Sequence, residues 1–335
     1  MTSKKLGVLI LRAQPLHAGH RDLIRKSKSQ CDTLLILVGS ANSPRTIKNP
    51  FTYRERETKI IEFIEHELIG PIFVFPLNDY VYSDANWLSN VANIIDTNNR
   101  FGDEVIIFGH MKSGNTYLNW FPQYHFQHVD SVVDTHATGI RDGWFITARH
   151  NFTKEVLEDY DYFESEKKMF SSYPYPETLN FNCGDAVLEC SGHILLIERA
   201  RAPGRGTWAL PGGFKNNNET FLDCVIRELL EETNVRIPEK VLRGSVVASK
   251  VYDSPFRGMG IPRITMATHI RVSLNSDGSL PRISPADDAL NASWFPINKI
   301  MNEMSLFDDH SDIIQDMCGT IPMPAHKNSR FRFQN

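Results

Sequence analysis

No hydrophobic run in this sequence reaches the roughly 18 residues a bilayer-crossing helix needs. The apolar stretch within residues 1–11 is far shorter and carries no cleavage pattern of a secretory signal. Charge is nearly balanced, with a net of −4 over 335 residues. That excludes a general electrostatic attraction to nucleic acid or to an anionic membrane surface, so neither is expected as a partner. Cysteine is sparse. The five residues at 31, 183, 190, 224 and 318 are odd in number, scattered, and without metal-ligand spacing. They read as reduced thiols of a cytoplasmic protein. What remains is an ordinary globular composition, 41% hydrophobic and 23% charged. The length suits two domains with separate cores, and self-association into a homo-oligomer is left open.

The stretch from Gly212 to Val235 carries the strongest chemical signal. It runs Gly212-Gly213-Phe214-Lys215-Asn216-Asn217-Asn218-Glu219, then seven residues, then Arg227-Glu228-Leu229-Leu230-Glu231-Glu232-Thr233-Asn234-Val235. Paired glycines permit a tight turn that a Cβ would obstruct. From Glu219 no Gly or Pro interrupts the chain before Pro238, which predicts a helix. At 3.6 residues per turn Leu222, Val225, Ile226 and Leu229 share one face, while Glu228, Glu231 and Glu232 share another. Acidic helix faces are usually just solvated. Here three crowded carboxylates offer oxygen ligands to a hard divalent cation, Mg²⁺ above all with Mn²⁺ as the alternative. Arg227 is placed to orient or neutralise one of the acids.

Six residues at fixed spacing, each at a background of roughly 5–7%, match by chance well under about once in a million windows. The stretch resembles the Nudix box, with Gly213, Glu219 and Arg227 at its conserved-type positions and Glu228, Glu231 and Glu232 as the metal ligands the resemblance implies. Asn234 stands where that pattern has Gly. A left-handed residue is needed there, and Asn is the next best choice.

The first half alternates short apolar runs with helical periodicity. Strands are expected at 6–11, 33–38, 72–75, 105–108 and 129–133. Helices are expected from about 18 to 29 and from 53 to 68. Such alternation implies a parallel sheet covered on both faces, with ligands at the carboxyl ends of its strands. Between the first strand and first helix lies Arg12-Ala13-Gln14-Pro15-Leu16-His17-Ala18-Gly19-His20. Imidazoles at i and i+3 near a helix N-terminus suit an anion, since backbone N–H groups point outward there.

Pro15-x-His17-x-Gly19-His20 resembles the HxGH signature of nucleotidyltransferases, which implies that His17 and His20 hold a triphosphate and stabilise transfer at its α-phosphate. Residues 39–56 resemble the loop after the second strand in nicotinamide-mononucleotide (NMN) adenylyltransferases of the archaeal type. Asn86-Trp87, Thr138-Gly139-Ile140-Arg141 and Gly109-His110-Met111-Lys112 resemble further segments of that group. The resemblance assigns Arg12, Gln14, Lys112, Thr138 and Arg141 to ATP and phosphate, and Arg45, Asn49, Arg56, Asn86 and Trp87 to NMN. In that reading Trp87 stacks on the pyridinium ring and Asn86 reads the carboxamide. Leu11 and Ala13 depart from the usual Gly-Arg-Phe-Gln-Pro.

Together the two resemblances imply an α/β chain. An N-terminal doubly wound, Rossmann-like nucleotidyltransferase domain (1–150) is followed by a helical linker and connector (151–180) with a possible docking face of Val156, Leu157, Tyr160 and Phe163. A C-terminal Nudix α/β/α sandwich with a mixed sheet (181–325) completes it. Strands in that half are expected at 186–189, 194–199, 246–252 and 264–272, with a last helix at 306–317.

The implied reactions are adenylyl transfer from ATP to NMN, giving NAD and pyrophosphate, and cleavage of ADP-ribose to AMP and ribose 5-phosphate. Glu232, Asp287 and Asp288 are the candidate general bases. Arg199, Arg257 and Arg263 are candidate substrate contacts. The box itself does not choose among nucleoside diphosphate derivatives, so another Nudix substrate beside an altered transferase remains an alternative. A non-catalytic sensor of ADP-ribose or NAD is a third, opposed by the presence of all three box glutamates.

Overall fold

The computed structural model describes residues 4–99, 102–110, 120–130, 136–175, 179–255 and 257–319. The chain divides into two compact units between Phe152 and Thr153.

The first unit is a five-stranded sheet in the order β3-β2-β1-β4-β5. Its strands are β1 (Lys5–Leu11), β2 (Thr33–Val38), β3 (Ile72–Pro76), β4 (Glu104–Gly109) and β5 (His125–His128), and every pairing is parallel. The connecting helices are α1 (Ala18–Lys28), α2 (Tyr53–Glu67) and α3 (Asp84–Asn98), and α4 (Ala137–Thr147) follows β5. Strands buried on both faces explain why β1 and β2 read as unbroken apolar runs rather than alternating ones. One core holds Leu9, Ile24, Ile36, Ile60 and Phe108; the other holds Leu6, Val8, Leu35, Leu37, Val91 and Ile107. The strand order reverses direction between β1 and β4, which opens a crevice at their carboxyl ends.

One expected strand is misplaced. The fifth strand is His125–His128, not 129–133. Its half-exposed polar residues hide it from a hydrophobic search, whereas Val129, 3% exposed, is a core residue just beyond the strand end. Residues 131–133 lie outside the described residues.

The second unit begins with α5 (Lys154–Met169), so the helix expected as a linker groups with the domain that follows it. Two buried acids fix it there. Asp159 Oδ1 accepts the Gly204 N–H at 2.8 Å, and Glu166 Oε2 accepts the Ile261 N–H at 2.9 Å. Val156 and Phe163 are buried as the docking face anticipated.

The sheet runs β10-β11-β6-β7-β12, with β8 added to β7 and β9 added to β6. These strands are β6 (Phe181–Cys190), β7 (His193–Arg199), β8 (Trp208–Ala209), β9 (Gly212–Phe214), β10 (Val246–Tyr252), β11 (Arg263–Val272) and β12 (Ala289–Pro296). β11 is parallel to β6 and the other pairs are antiparallel, a mixed sheet. The helices are α6 (Phe221–Thr233), α7 (Glu239–Gly244), α8 (Ile297–Glu303) and α9 (His310–Cys318). The last helix starts at His310 rather than 306, because Leu306 is spent on an isolated bridge to Trp208. No helix among the described residues is long and apolar enough to cross a membrane.

Candidate functional sites

In the second unit β6 changes partners along its length. Near its end it pairs with β7, and near its start with β9, so Asp185 faces Gly212 and Gly184 faces Gly213. Gly212 has no room for a side chain against the Gly184 carbonyl, and a side chain on Gly213 would push Glu228 aside. A Cβ on Gly212 would lie 2.2 Å from Asp185 Oδ1, and one on Gly213 would lie 2.5 Å from Glu228 Oε1. The glycines lie in strand β9 with no left-handed φ, so close packing against β6 and α6, not the tight turn expected from the sequence, is what requires them.

α6 begins with a capping box between Thr220 and Asp223 and ends on Asn234 in the left-handed conformation, φ 43° and ψ 35°. The glycine-type position of the motif is thus filled by a residue that adopts the geometry required. The apolar face, Val225, Ile226 and Leu229, packs into a core with Ala186, Leu188 and Ile270. The opposite face presents the acids.

Arg227 organises them. Its Nε and Nη2 donate to Glu219 at 3.0 and 2.8 Å, and its Nη1 donates to Glu228 at 2.8 Å and Glu231 at 2.9 Å. These bonds hold the Glu219 carboxyl down at about 2. Burial pushes Glu228 up despite the guanidinium. Glu232 is deeper, 5% exposed, and accepts the Gly212 N–H at 2.9 Å. Burial raises its carboxyl to about 8. A buried acid whose charge is so disfavoured suits a divalent cation, which would stabilise the ionised form. Glu228, Glu231 and Glu232 offer the all-oxygen donors a hard cation takes, but their ligand atoms do not all lie within 4.8 Å of one another.

Sequence reading missed Asp185, which pairs with Gly212 of β9 and whose Oδ2 accepts the Thr265 hydroxyl at 2.6 Å. Its signal was present: an acid, one of two with Glu189, inside the mostly apolar strand β6. It also missed the buried His310, whose Nδ1 accepts the Leu210 N–H just before β9 at 2.8 Å. Two of the three candidate substrate arginines are engaged internally. Arg257 forms a buried pair with Asp309 through Nε and Nη2 at 2.9 and 3.1 Å, and Arg263 bonds to Glu166 on α5. Arg199 donates to the Pro203 carbonyl and lies 4.2 Å from the Phe307 ring centroid. Asp288 pairs with Arg201 at 3.1 Å, and Asp287 occupies a left-handed position.

In the first unit the loop after β1 delivers His17 to the N-cap of α1. The Gly19 N–H bonds to His17 Nδ1 at 3.1 Å, the His17 N–H faces His20 Nδ1 at 3.5 Å, and the two rings stack at 3.8 Å. An acceptor Nδ1 leaves the His17 proton on Nε2. Burial and the neighbouring His17 lower His20 to about 4, so it is neutral at physiological pH. Arg141, on the first turns of α4, donates to the Gln14 carbonyl at 2.6 Å and to Thr138 Oγ1 at 3.2 Å. The two phosphate-type segments, far apart in sequence, therefore meet. Leu11 packs into the core, so its side chain does not cover the loop where a Gly was expected.

Two of the residues expected to bind ligand are buried and hydrogen-bonded within the fold. Arg56, expected to bind NMN, is 2% exposed and spends its guanidinium on the carbonyls of Arg12, Gly39, Ser40 and Thr52. Gln14, expected to bind phosphate, is 2% exposed and clamps Phe51 through both amide atoms, at 2.8 and 3.1 Å. Both shape the loops of the site. Arg45 is tied to Glu55 and the Pro50 carbonyl, each at 2.8 Å. Arg12 sits 3.8 Å from Asp79. Asn49 closes a turn with Thr46, and its Oδ1 is buried with no hydrogen-bond partner among the described residues. Asn86 and Trp87 lie in the first turn of α3, and Trp87 packs 6.0 Å from Phe121. Lys112 lies outside the described residues.

Comparison with known proteins supports both halves. The chain matches a NUDIX domain model over residues 184–317 and a cytidylyltransferase-like model over residues 12–113. It is 30% identical over 140 residues to a nicotinamide/nicotinic acid mononucleotide adenylyltransferase of Acinetobacter baylyi, covering 41% of this chain and 74% of that protein. It is 36% identical over 132 residues to an ADP-ribose pyrophosphatase of Methanocaldococcus jannaschii, covering 39% of this chain and 69% of that one. The crystal structure of a bifunctional NMN adenylyltransferase/ADP-ribose pyrophosphatase from Francisella tularensis, with AMP and a manganese ion, superposes with a TM-score of 0.84 at 26% identity. That match covers 94% of this chain and 99% of the other.

Proposed function

Since the chain belongs to the family of bifunctional NMN adenylyltransferases joined to Nudix ADP-ribose pyrophosphatases, we propose that it makes NAD at one site and hydrolyses ADP-ribose at the other. The observation that carries this reading is a structural match that spans both units, at a TM-score of 0.84. A relative of one half alone would support only one activity.

In the first unit the NMN phosphate attacks the α-phosphorus of ATP, and pyrophosphate leaves. No protein nucleophile is required; positioning and charge stabilisation carry the rate. His17, through its Nε2 proton, and His20 would hold the triphosphate over the N-terminus of α1, with Arg12, Thr138 and Arg141 facing the same loop. Asn86, Trp87, Arg45 and Asn49 would receive NMN.

In the second unit Glu228, Glu231 and Glu232 would hold a divalent cation, Mg²⁺ in the cell with Mn²⁺ able to replace it. When bound, such an ion neutralises charge on the diphosphate and acidifies coordinated water. Glu232, Asp287 or Asp288 would take the proton from the attacking water. Arg227 keeps the glutamates aimed while the nucleoside monophosphate departs. Gly212 and Gly213 keep the space above the acids clear of side chains.

Point variants separate the two activities. Glu231→Gln should lower ADP-ribose hydrolysis by about 10²-fold or more with NAD synthesis unchanged. The double change His17→Ala/His20→Ala should do the reverse. Loss of both activities in either variant would contradict two independent sites.

A further inference from the structure

A second cluster of ligand-type side chains sits in the Nudix unit, on the side of its sheet away from α6. Alternation along β6 sends Ala186, Leu188 and Cys190 into the core with α6, and Glu189 to the other face. On β11, Ile270 and Val272 join that core while His269 turns away from it. His269 is 1% exposed, and its Nε2 lies 2.7 Å from Glu189 Oε2. α9 is bound to the neighbouring strand β10, where Lys250 and Tyr252 both donate to Asp316, at 2.6 and 2.7 Å. This docking brings Cys318, the last residue of α9, to the pair. One ligand atom from each of Glu189, His269 and Cys318 lies within 4.8 Å of the others, and among the described residues this is the one trio of His, Cys, Asp or Glu that meets so closely.

We infer that Glu189, His269 and Cys318 form a binding site for a borderline-soft divalent cation, zinc by preference, which fastens the end of α9 to β6 and β11. The donor set selects the metal. Hard cations such as Mg²⁺ favour all-oxygen sites, whereas nitrogen, sulfur and oxygen together suit zinc. Tetrahedral zinc with bond lengths of about 2.0–2.3 Å places its ligand atoms about 3.3–3.8 Å apart, so side-chain adjustment of about 1 Å closes the trio. Water takes the fourth position. Binding replaces the His269–Glu189 hydrogen bond, and the Cys318 thiol gives its proton to solvent, so a carboxylate and a thiolate together balance the ion. Arg271, which donates to the same Glu189 oxygen at 3.0 Å, is 56% exposed. It orients the carboxylate and can swing into water as the cation enters. No spacing of cysteines in the sequence signals this site, because its three ligands come from separate elements.

The test uses the full-length protein, stripped with a chelator and titrated with Co²⁺, whose sulfur-to-cobalt absorption in the near ultraviolet reports thiolate ligation. One equivalent should produce that band, and added zinc should abolish it. Cys318→Ser should lose the band while keeping ADP-ribose hydrolysis within about twofold of wild type. Glu189→Gln should weaken cobalt binding about tenfold or more, with folding checked by far-ultraviolet circular dichroism. Absence of a sulfur band in the wild-type protein, or its persistence in Cys318→Ser, would overturn the assignment and leave a buried His–Glu pair with a purely structural role. Neither outcome depends on which reaction the glutamates of α6 catalyse.

Discussion

Arg227 and Glu219, eight residues apart, are joined by two hydrogen bonds, Nε to Oε2 at 3.0 Å and Nη2 to Oε1 at 2.8 Å. Glu219 ends the loop, and Arg227 stands on the second turn of α6. The fork makes loop and helix one unit, with Glu228 and Glu231 suspended from its remaining nitrogen. Lysine keeps the charge but cannot form the fork. Arg227→Lys should therefore cost about 1–2 kcal/mol of stability and lower ADP-ribose hydrolysis more than it lowers NAD synthesis. Chemical denaturation and parallel assays check this; an equal loss of both activities would contradict it.

Glu232 gives a pH signature. Burial raises its carboxyl to about 8, above the unfolded value of about 4.3. In metal-free protein the protonated acid is favoured. The stability this confers is full below the unfolded value and is lost as pH rises through about 8. Glu232→Gln stays neutral throughout. Its stability relative to wild type should improve progressively from about pH 5 to pH 8.5, measured by denaturation in chelator. A pH-independent difference would mean that Glu232 is ionised well below neutrality. Over the same window, Mg²⁺ or Mn²⁺ affinity should rise with pH.

Arg56 acts on the fold of the first unit. Its guanidinium serves four carbonyls in a buried position. Arg56→Lys leaves several of them unpaired and should destabilise the unit by about 2–4 kcal/mol. A change in the KM for NMN with unaltered unfolding would instead restore the ligand role expected from resemblance.

Asn234 tests the departure from the motif. At φ 43°, Asn234→Gly should be neutral to slightly stabilising, and Asn234→Ala should cost about 1 kcal/mol. Thermal denaturation of both variants decides. A loss of several kcal/mol on Asn234→Gly would point to a role for the side chain, whose Nδ2 lies 3.5 Å from the Ser284 carbonyl.

Much of this was legible in the residues themselves. The apolar runs of β1 and β2 named strands buried on both faces, and the fixed spacing from Gly212 to Asn234 described a helix and an acidic face, although its paired glycines sit in strand β9 rather than in a turn. β5 was not legible, because a short edge strand of polar residues carries no hydrophobic signature. The clamping roles of Gln14 and Arg56 were hidden for a different reason: a motif names residue types, and only the fold reveals which partners use their hydrogen bonds. α5 read as a linker because its charged surface is conspicuous, while the buried acids that hold it, Asp159 and Glu166, resemble the solvated ones around them. The Glu189–His269–Cys318 trio depends wholly on tertiary placement.

The most direct measurement is the formation of NAD by purified full-length protein supplied with NMN, ATP and Mg²⁺, followed together with AMP release when ADP-ribose is added. The account predicts NAD and pyrophosphate in equal amounts, abolished by His17→Ala/His20→Ala, with ADP-ribose cleavage intact in that variant. Hydrolysis of ADP-ribose without any NAD formation would contradict it, and would mean that the loop from Leu11 to His20 no longer supports transfer.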